Sequence, residues 1–515
     1  MTGIYSRRIW RSLLAGVALT FVLSPIVGAP PLGAQEAHTA FPDVLPTERG
    51  DVAAATENEL DEYTLAVTLD PATSTVSGTE RVIYRNSTGI PQSEVYFRLF
   101  PNAGYYGEGA LTVSDLTVDR APVTSELSAD DTVLQVSLST QVLPGAVATI
   151  DLRFETIVPT DTSGSFAILN RSSFTGTWSM SDWYPSLAGY EPDRGWRIDP
   201  PTSFGDPTFA ETARYDVTIT APANLTLVTT GVEVDAATSN GIQTRQFRAA
   251  PARDFSFAAD DDYVSLLASS DGTTVTAYVN PGQEPGGQAA LDVAVSALAV
   301  FGERFGPYPH RELDIVAAPL AGALGVSWSG IVFLDGPGML DILAHSDPAY
   351  FNSVVAHEIG HQWWGGQIGF NSNDHTFLLE GITNFIAILW IEATAGPETA
   401  LAAIRTSLAA PYIALIEATG DQVADLPIAD GQSGRGTIFY NKSALGFFAI
   451  NETIGDAAFT AALATLAADF AFAIAEPTDV LAAFETASGQ DLGELWRFWF
   501  EAAETTPADV EALVA

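Results

Sequence analysis

The residues of this sequence best suited to do chemistry lie in the stretch 353–381. His357, Glu358 and His361 form the pattern H-E-x-x-H. Residues four apart share one face of a helix, so both imidazoles can reach one metal ion. Glu358 sits beside the first histidine and is placed to take a proton from a water. A catalytic zinc takes three protein ligands and keeps one position open. Glu380 is the candidate third ligand, with eighteen residues between it and His361. That interval fits one helix, a reversal and a second helix packed on the first. Histidines four apart also occur as ordinary surface or core residues, but this chain has only 6 His in 515 residues. Val354, Val355 and Ala356 precede the motif, and Trp363, Trp364, Gly365 and Gly366 follow it. These flanks predict a buried helix that stops at glycines. The two adjacent tryptophans read first as packing between helices and domains, and second as walls of a side-chain pocket.

Positioning such a cluster needs a scaffold, and 515 residues are enough for two or three domains. Hydrophobic content is 47%, so the chain folds. There are 63 Asp and Glu against 22 Lys and Arg, of which only Lys442 is a lysine, giving a net charge of −41. Such a surface repels nucleic acid and anionic lipid, so nucleic-acid binding is excluded as a function class. It reads as a solvated acidic surface, with steering of cationic substrates as the sharper alternative. Cysteine is absent, which rules out a disulfide framework and thiolate metal ligands.

The N-terminus carries Arg7, Arg8 and Arg11, then an apolar run over 13–29, then small residues up to Ala34. This is the plan of a signal peptide over 1–34, and Pro25 argues against a spanning helix. The expected location is therefore extracytoplasmic, with an uncleaved N-terminal anchor as the alternative. No second long apolar span is read, so no stable membrane insertion of the mature chain is expected. Residues 35–58 read as a linker. Residues 59–267 alternate with period two in runs such as 63–69, 94–99, 133–138, 148–154, 215–220, 225–234 and 242–247. Turn residues punctuate these runs, which predicts an antiparallel β-sandwich or saddle. Asp182, Trp183, Tyr184 and Pro185 interrupt the pattern as an aromatic cluster. From 268 the character changes. Helical spacing over 289–305, short strands at 313–317 and 330–334, the motif helix from about 349 and a second helix over 378–393 make a mixed unit. Ala-rich helical stretches near 399–408, 443–451, 457–472, 478–487 and 492–501 close it. The fold class expected is multidomain α+β: a β-rich domain over 59–267, then a mixed α/β catalytic domain over 268–515.

These residues resemble the gluzincin metallopeptidases of the M1 aminopeptidase type, over about residues 60–500. His357 to Gly365 is similar to the family's H-E-x-x-H-Q-W-W-G, and Glu380 with Gly381 falls where the family places its third zinc ligand. The segment from Phe439 to Ala444 is similar to the one carrying the catalytic tyrosine, and the stretch from Phe305 to Pro309 to the one leading to the site. The resemblance implies a thermolysin-like catalytic domain and one Zn2+ held by His357, His361 and Glu380. It implies Glu358 as general base, Tyr440 as donor to the oxyanion, and a peptide substrate lying near Ser327 and Trp328. The sequence departs from the family at two places. Where G-x-M-E-N is usual, this chain has Gly325, Val326, Ser327, Trp328 and Ser329, so Ser327 replaces the glutamate that holds the substrate's α-amino group. A neutral hydroxyl makes no ion pair with an ammonium. Leu379 stands where Asn or Asp is usual. The long helical C-terminal domain of larger members is also expected to be absent.

The expected function is a secreted zinc metallopeptidase, foremost an aminopeptidase. Asp182, Glu191 and Asp206 are the carboxylates of the β domain available to hold an amine instead of Ser327. Two alternatives stand beside it: a zinc peptidase cleaving blocked or internal bonds, and a catalytically silent binding module of the same fold.

Overall fold

A computed structural model describes residues 41–56, 60–203, 209–430 and 433–515. The expected leader 1–34 and Asp206 lie outside these.

Alternation builds the first unit. In the strand Asp61–Asp70, Tyr63, Leu65, Val67 and Leu69 are buried while Thr64, Ala66 and Thr68 are exposed. This strand is central to an eight-stranded sheet. Its neighbours run antiparallel to one another, except that Asp61–Asp70 pairs in parallel with Ala213–Pro222. Two four-stranded sheets pack on the buried face. Leu65, Val67, Ile150 and Val217 of the large sheet share one core with Phe97, Val136, Trp178 and Trp183. This is the layered β domain expected from the period-two pattern, with antiparallel pairing broken once.

A five-stranded sheet opens the second unit, in the order Val264–Ser270, Thr273–Val279, Glu312–Ala318, Ile331–Asp335, Gly325–Trp328. The three middle strands are mutually parallel, and both outer strands are antiparallel to their neighbours. The helix Glu284–Phe305 covers the sheet through Leu291, Ala294, Leu298 and Phe301, all buried. Helices Pro348–Gly360, Thr376–Ala395 and Ser443–Ile454 pack beside it.

Four readings need correction. Residues 41–56 are not a linker. They contain the helix Arg49–Thr56 and a bridge from Val44 to His310, with Phe41, Val44 and Val52 buried. Three apolar residues are too sparse to register as a pattern, but Asp43 also accepts from the Ala250 amide and faces His310. The strand Val264–Ser270 straddles the expected boundary at 267 yet pairs with Thr273–Val279, so it joins the second sheet. The run 225–234 is two strands, Thr226–Thr229 and Val232–Ser239, split at Gly231 with φ +81°. Finally, two helices, Thr376–Ala395 and Pro397–Thr419, are long and apolar enough to cross a membrane by length and composition. The first is the core helix that carries Glu380.

Candidate functional site

The motif sits at the end of the helix Pro348–Gly360. Pro348 starts it, and Asp347 caps it by accepting from the Tyr350 amide. His357 and Glu358 occupy the last turn, and His361 is the C-cap. Gly365, with φ +118°, turns the chain back. The helix Thr376–Ala395 then packs on the first, with Glu380 in its second turn. Two glycines set how close the helix Thr376–Ala395 comes to its neighbours, the motif helix and the helix Ser443–Ile454. A Cβ on Gly360 would lie 2.8 Å from Ile386, and one on Gly381 would lie 2.5 Å from Ser443. The second contact brings the segment Thr437–Lys442, with Tyr440, against the cluster.

His357, His361 and Glu380 converge as the spacing predicts. The two Nε2 atoms are 3.0 Å apart, and Glu380 Oε2 lies 3.3 Å and 3.5 Å from them. His361 Nδ1 is 3.0 Å from the Trp364 carbonyl, a pure acceptor, so Nδ1 carries a proton in either charge state, and Nε2 is the atom a cation at the cluster would bind in place of the second proton. Burial lowers His357. Burial opposes the charged form of His361 too, but the Glu380 carboxylate outweighs it and lifts this imidazole to about 9. Glu380 is likewise opposed by burial yet held down at about 2 by His361 and His357. Its Oε2 is buried without a well-directed hydrogen-bond donor. A buried anion, two inward-facing imidazole nitrogens and an orphaned carboxylate oxygen together form a donor set that suits a divalent cation such as zinc.

Around this cluster lies a cavity of about 1440 Å³ lined by His357, Glu358, His361, Glu380, Tyr440, Ser327 and Trp328. All seven site residues read from the sequence therefore meet in one space. The Tyr440 ring stacks on His357, with centroids 5.9 Å apart. Glu358 lies against the edge strand Gly325–Trp328, where a Cβ on Gly325 would sit 2.6 Å from its carboxyl. Ser327 Oγ accepts from Gln362 Nε2 at 2.8 Å. Gln362 also donates to the Trp328 carbonyl and accepts from the Gly330 amide, which staples the motif to the edge strand. Gln362 was not singled out in the sequence. Its signal was a lone amide in an apolar run directly after the candidate ligand His361.

The tryptophans divide. Trp363 and Trp364 are fully buried against Phe301, Phe305 and Tyr308 and pack, whereas Trp328 lines the cavity. Of the β-domain carboxylates, Asp182 lines the cavity. Glu191 does not. It is bound to Arg197 and to Asn371 in an ion network between the two units.

Comparison with known proteins agrees with this architecture. The peptidase family M1 domain matches residues 289–499. Aminopeptidase M1-A of Oryza sativa subsp. japonica is 29% identical over 252 residues, 46% of this chain and 28% of that protein. Aminopeptidase M1 of Arabidopsis thaliana is 23% identical over 414 residues, 76% of this chain and 45% of that protein. The chain thus spans less than half the length of these plant relatives. The crystal structure of an M1 zinc metallopeptidase from Deinococcus radiodurans superposes with a TM-score of 0.65 at 19% identity, covering 87% of this chain and 94% of that one. The crystal structure of a mutant of an M1 zinc metallopeptidase from Deinococcus radiodurans bound to a Tyr-Ser-Ala substrate superposes with a TM-score of 0.62 at 18% identity, covering 87% of this chain and 95% of that one. The fold, the helix-borne donor set and the matched residues agree: over residues 289–499 the chain is similar to the peptidase family M1 domain.

Proposed function

We propose that this chain is a zinc-dependent peptidase acting from the N-terminal end of peptide substrates. The observation that carries the reading is the convergence of His357, His361 and Glu380 within one cavity, with Glu358 beside them. Zinc bound by those three would supply Lewis acidity toward a water and the scissile carbonyl. Glu358 takes a proton at its carboxylate from the attacking water and delivers it to the leaving amine. The Tyr440 hydroxyl donates to the oxyanion that develops on the carbonyl. The edge strand Gly325–Trp328 offers its unpaired backbone side to an extended peptide, beside Ser327 and Trp328. The aminopeptidase names of the plant relatives support action at the N-terminal end. Ser327 favours a second reading, cleavage of blocked or internal bonds, because it offers no charge to an ammonium. The leader over 1–34 supports work outside the cytoplasm, and N-terminal sequencing of the exported protein tests that.

The purified chain should bind about one zinc and lose peptide hydrolysis on chelation. Glu358→Gln should keep the zinc and lose about 10²- to 10⁴-fold in kcat. Metal analysis that finds no zinc, or full activity in Glu358→Gln, overturns the assignment.

A further inference from the structure

The cavity does not close at Ser327. It continues past Ser329, Asp254 and Phe255 to Tyr184 and Ser186 of the β domain. Along the edge strand and into its turn, alternate residues mark its length. Gly325 meets the Glu358 carboxyl, Ser327 meets Gln362, and Ser329, the first turn residue, meets Asp254. One such two-residue step along a strand is roughly 7 Å, a distance that two residues of an extended peptide also span.

Asp254 is a carboxylate in the field of the adjacent Arg253 but with no ion pair among the described residues. Its Oδ2 accepts from Ser329 Oγ at 3.1 Å and from the Ser329 amide at 3.3 Å, and its Oδ1 accepts from Ser256 Oγ at 3.3 Å. Among the described residues, no Arg, Lys or His nitrogen lies within 4.0 Å of it. The adjacent Arg253 turns its guanidinium to the carbonyls of Gly366, Ala210 and Ala473 instead. Burial pushes the Asp254 carboxyl up to about 6, with the Ser329 and Ser256 contacts and the charge of Arg253 pulling it back down. A cation arriving in the cavity would therefore complete this site. Asp347 caps a helix and Asp292 accepts from Gln288. Asp182 lies in the field of Arg98 as Asp254 lies in that of Arg253, but it is Asp254 that adjoins the end of the edge strand, through Ser329.

We propose that Asp254 receives the free α-ammonium of the substrate, one strand step beyond Ser327, so that the chain releases N-terminal fragments of two or three residues rather than single amino acids. This rests on the peptidase reading above. The bond broken is the C–N bond after the second or third residue. Water adds hydroxyl to the acyl carbon, and its proton goes to the new amine. The charge absent from Ser327 is relocated to the β domain, and the open cavity between the two positions holds the extra residues.

The test uses the zinc-loaded full chain and anilides of one, two and three residues, each with a free or acetylated N-terminus. Free-amine di- or tripeptidyl anilides should exceed single-residue anilides in kcat/KM by about tenfold or more, the scale of one charge-assisted contact. In Asp254→Asn the ratio of free-amine to acetylated kcat/KM should fall about 10- to 100-fold, with zinc content and Tm measured alongside. Should that variant not fold, Ser327→Glu provides the second test, because a carboxylate restored on the strand should shift release to single residues. Best activity on single-residue anilides overturns the inference and leaves the peptidase reading standing. Equal activity on free and acetylated peptides overturns it in favour of blocked or internal bonds. No hydrolysis of any peptide with zinc bound sinks both.

Discussion

Gly325 shows how tightly single residues are fitted around Glu358. A methyl group there would lie 2.6 Å from both Cγ and Oε1 of Glu358. The strand can stay in place, because the colliding group is a side chain that can rotate. The rotation, however, would take Glu358, the proposed general base, off its aim at the substrate. Gly325→Ala should therefore leave Tm nearly unchanged and lower kcat/KM about tenfold or more, since small misplacements of a catalytic group are costly. Unchanged kcat/KM would mean that Glu358 works from another rotamer. Residues of this kind are the least legible in a sequence. His357 and His361 could be read because a helix fixes which spacings share a face, and Glu380 because the interval after them fits a second helix packed on the first. Gly325 and Gln362 act across 33 and 35 positions of chain, and Asp254 across 75. Nothing local marks such partners.

Elements with a strong period were legible for the same physical reason. The strand Asp61–Asp70 and the helix Glu284–Phe305 each bury one consistent set of positions, and Thr376–Ala395 is a long apolar run buried nearly all round. Short or half-exposed elements were not. Val264–Ser270 is nowhere fully buried, and Gly325–Trp328 has four residues, too few to show a period. The contacts between units are also carried by non-periodic residues. Arg253, at the end of the β domain, is 8% exposed and donates to the carbonyls of Ala210, Gly366, Gln367 and Ala473. It thereby ties the turn after the metal motif to the β domain. Gly369 must be glycine for this, since a Cβ there would lie 2.5 Å from the guanidinium carbon. Arg253→Met keeps the bulk but leaves these carbonyls without their donor. It should cost about 2–4 kcal/mol in denaturant unfolding, and a midpoint equal to the wild type would show that the carbonyls find other donors.

At the scale of the whole molecule, an acidic chain meets a difficulty in its own core. Glu80 projects into the middle of the large sheet, where Leu65 and Leu152 are its cross-strand neighbours, and it is 1% exposed. Neither of its carboxylate oxygens has a hydrogen-bond partner. Burial pushes its pKa well above the ordinary carboxylate value. The folded chain therefore keeps a proton here that the unfolded chain releases near pH 4.3, the usual glutamate value. Between that pH and the raised value the folded state binds more protons, so the contribution of this group to stability falls as pH rises above the usual glutamate range, by up to about 1.4 kcal/mol per pH unit. The cluster around Arg197 has the opposite sign. Burial opposes the Asp374 carboxylate, but Arg197 outweighs it and holds its pKa down, so that contribution is lost only as pH falls below the usual aspartate range. The two effects are separated in pH, and a single substitution isolates the first. Glu80→Leu removes the unpaired carboxyl and fits between its leucine neighbours. At pH 8 it should be more stable than the wild type by about 1–3 kcal/mol, the usual cost of an unsatisfied buried polar group. The difference should shrink steadily toward pH 5. Because both proteins keep the same metal site, any zinc loss at low pH cancels in the comparison. Denaturant midpoints of the two proteins between pH 5 and 8 provide the measurement. A difference that is flat or grows toward acid would mean that Glu80 is ionised in the fold and paired with a cation.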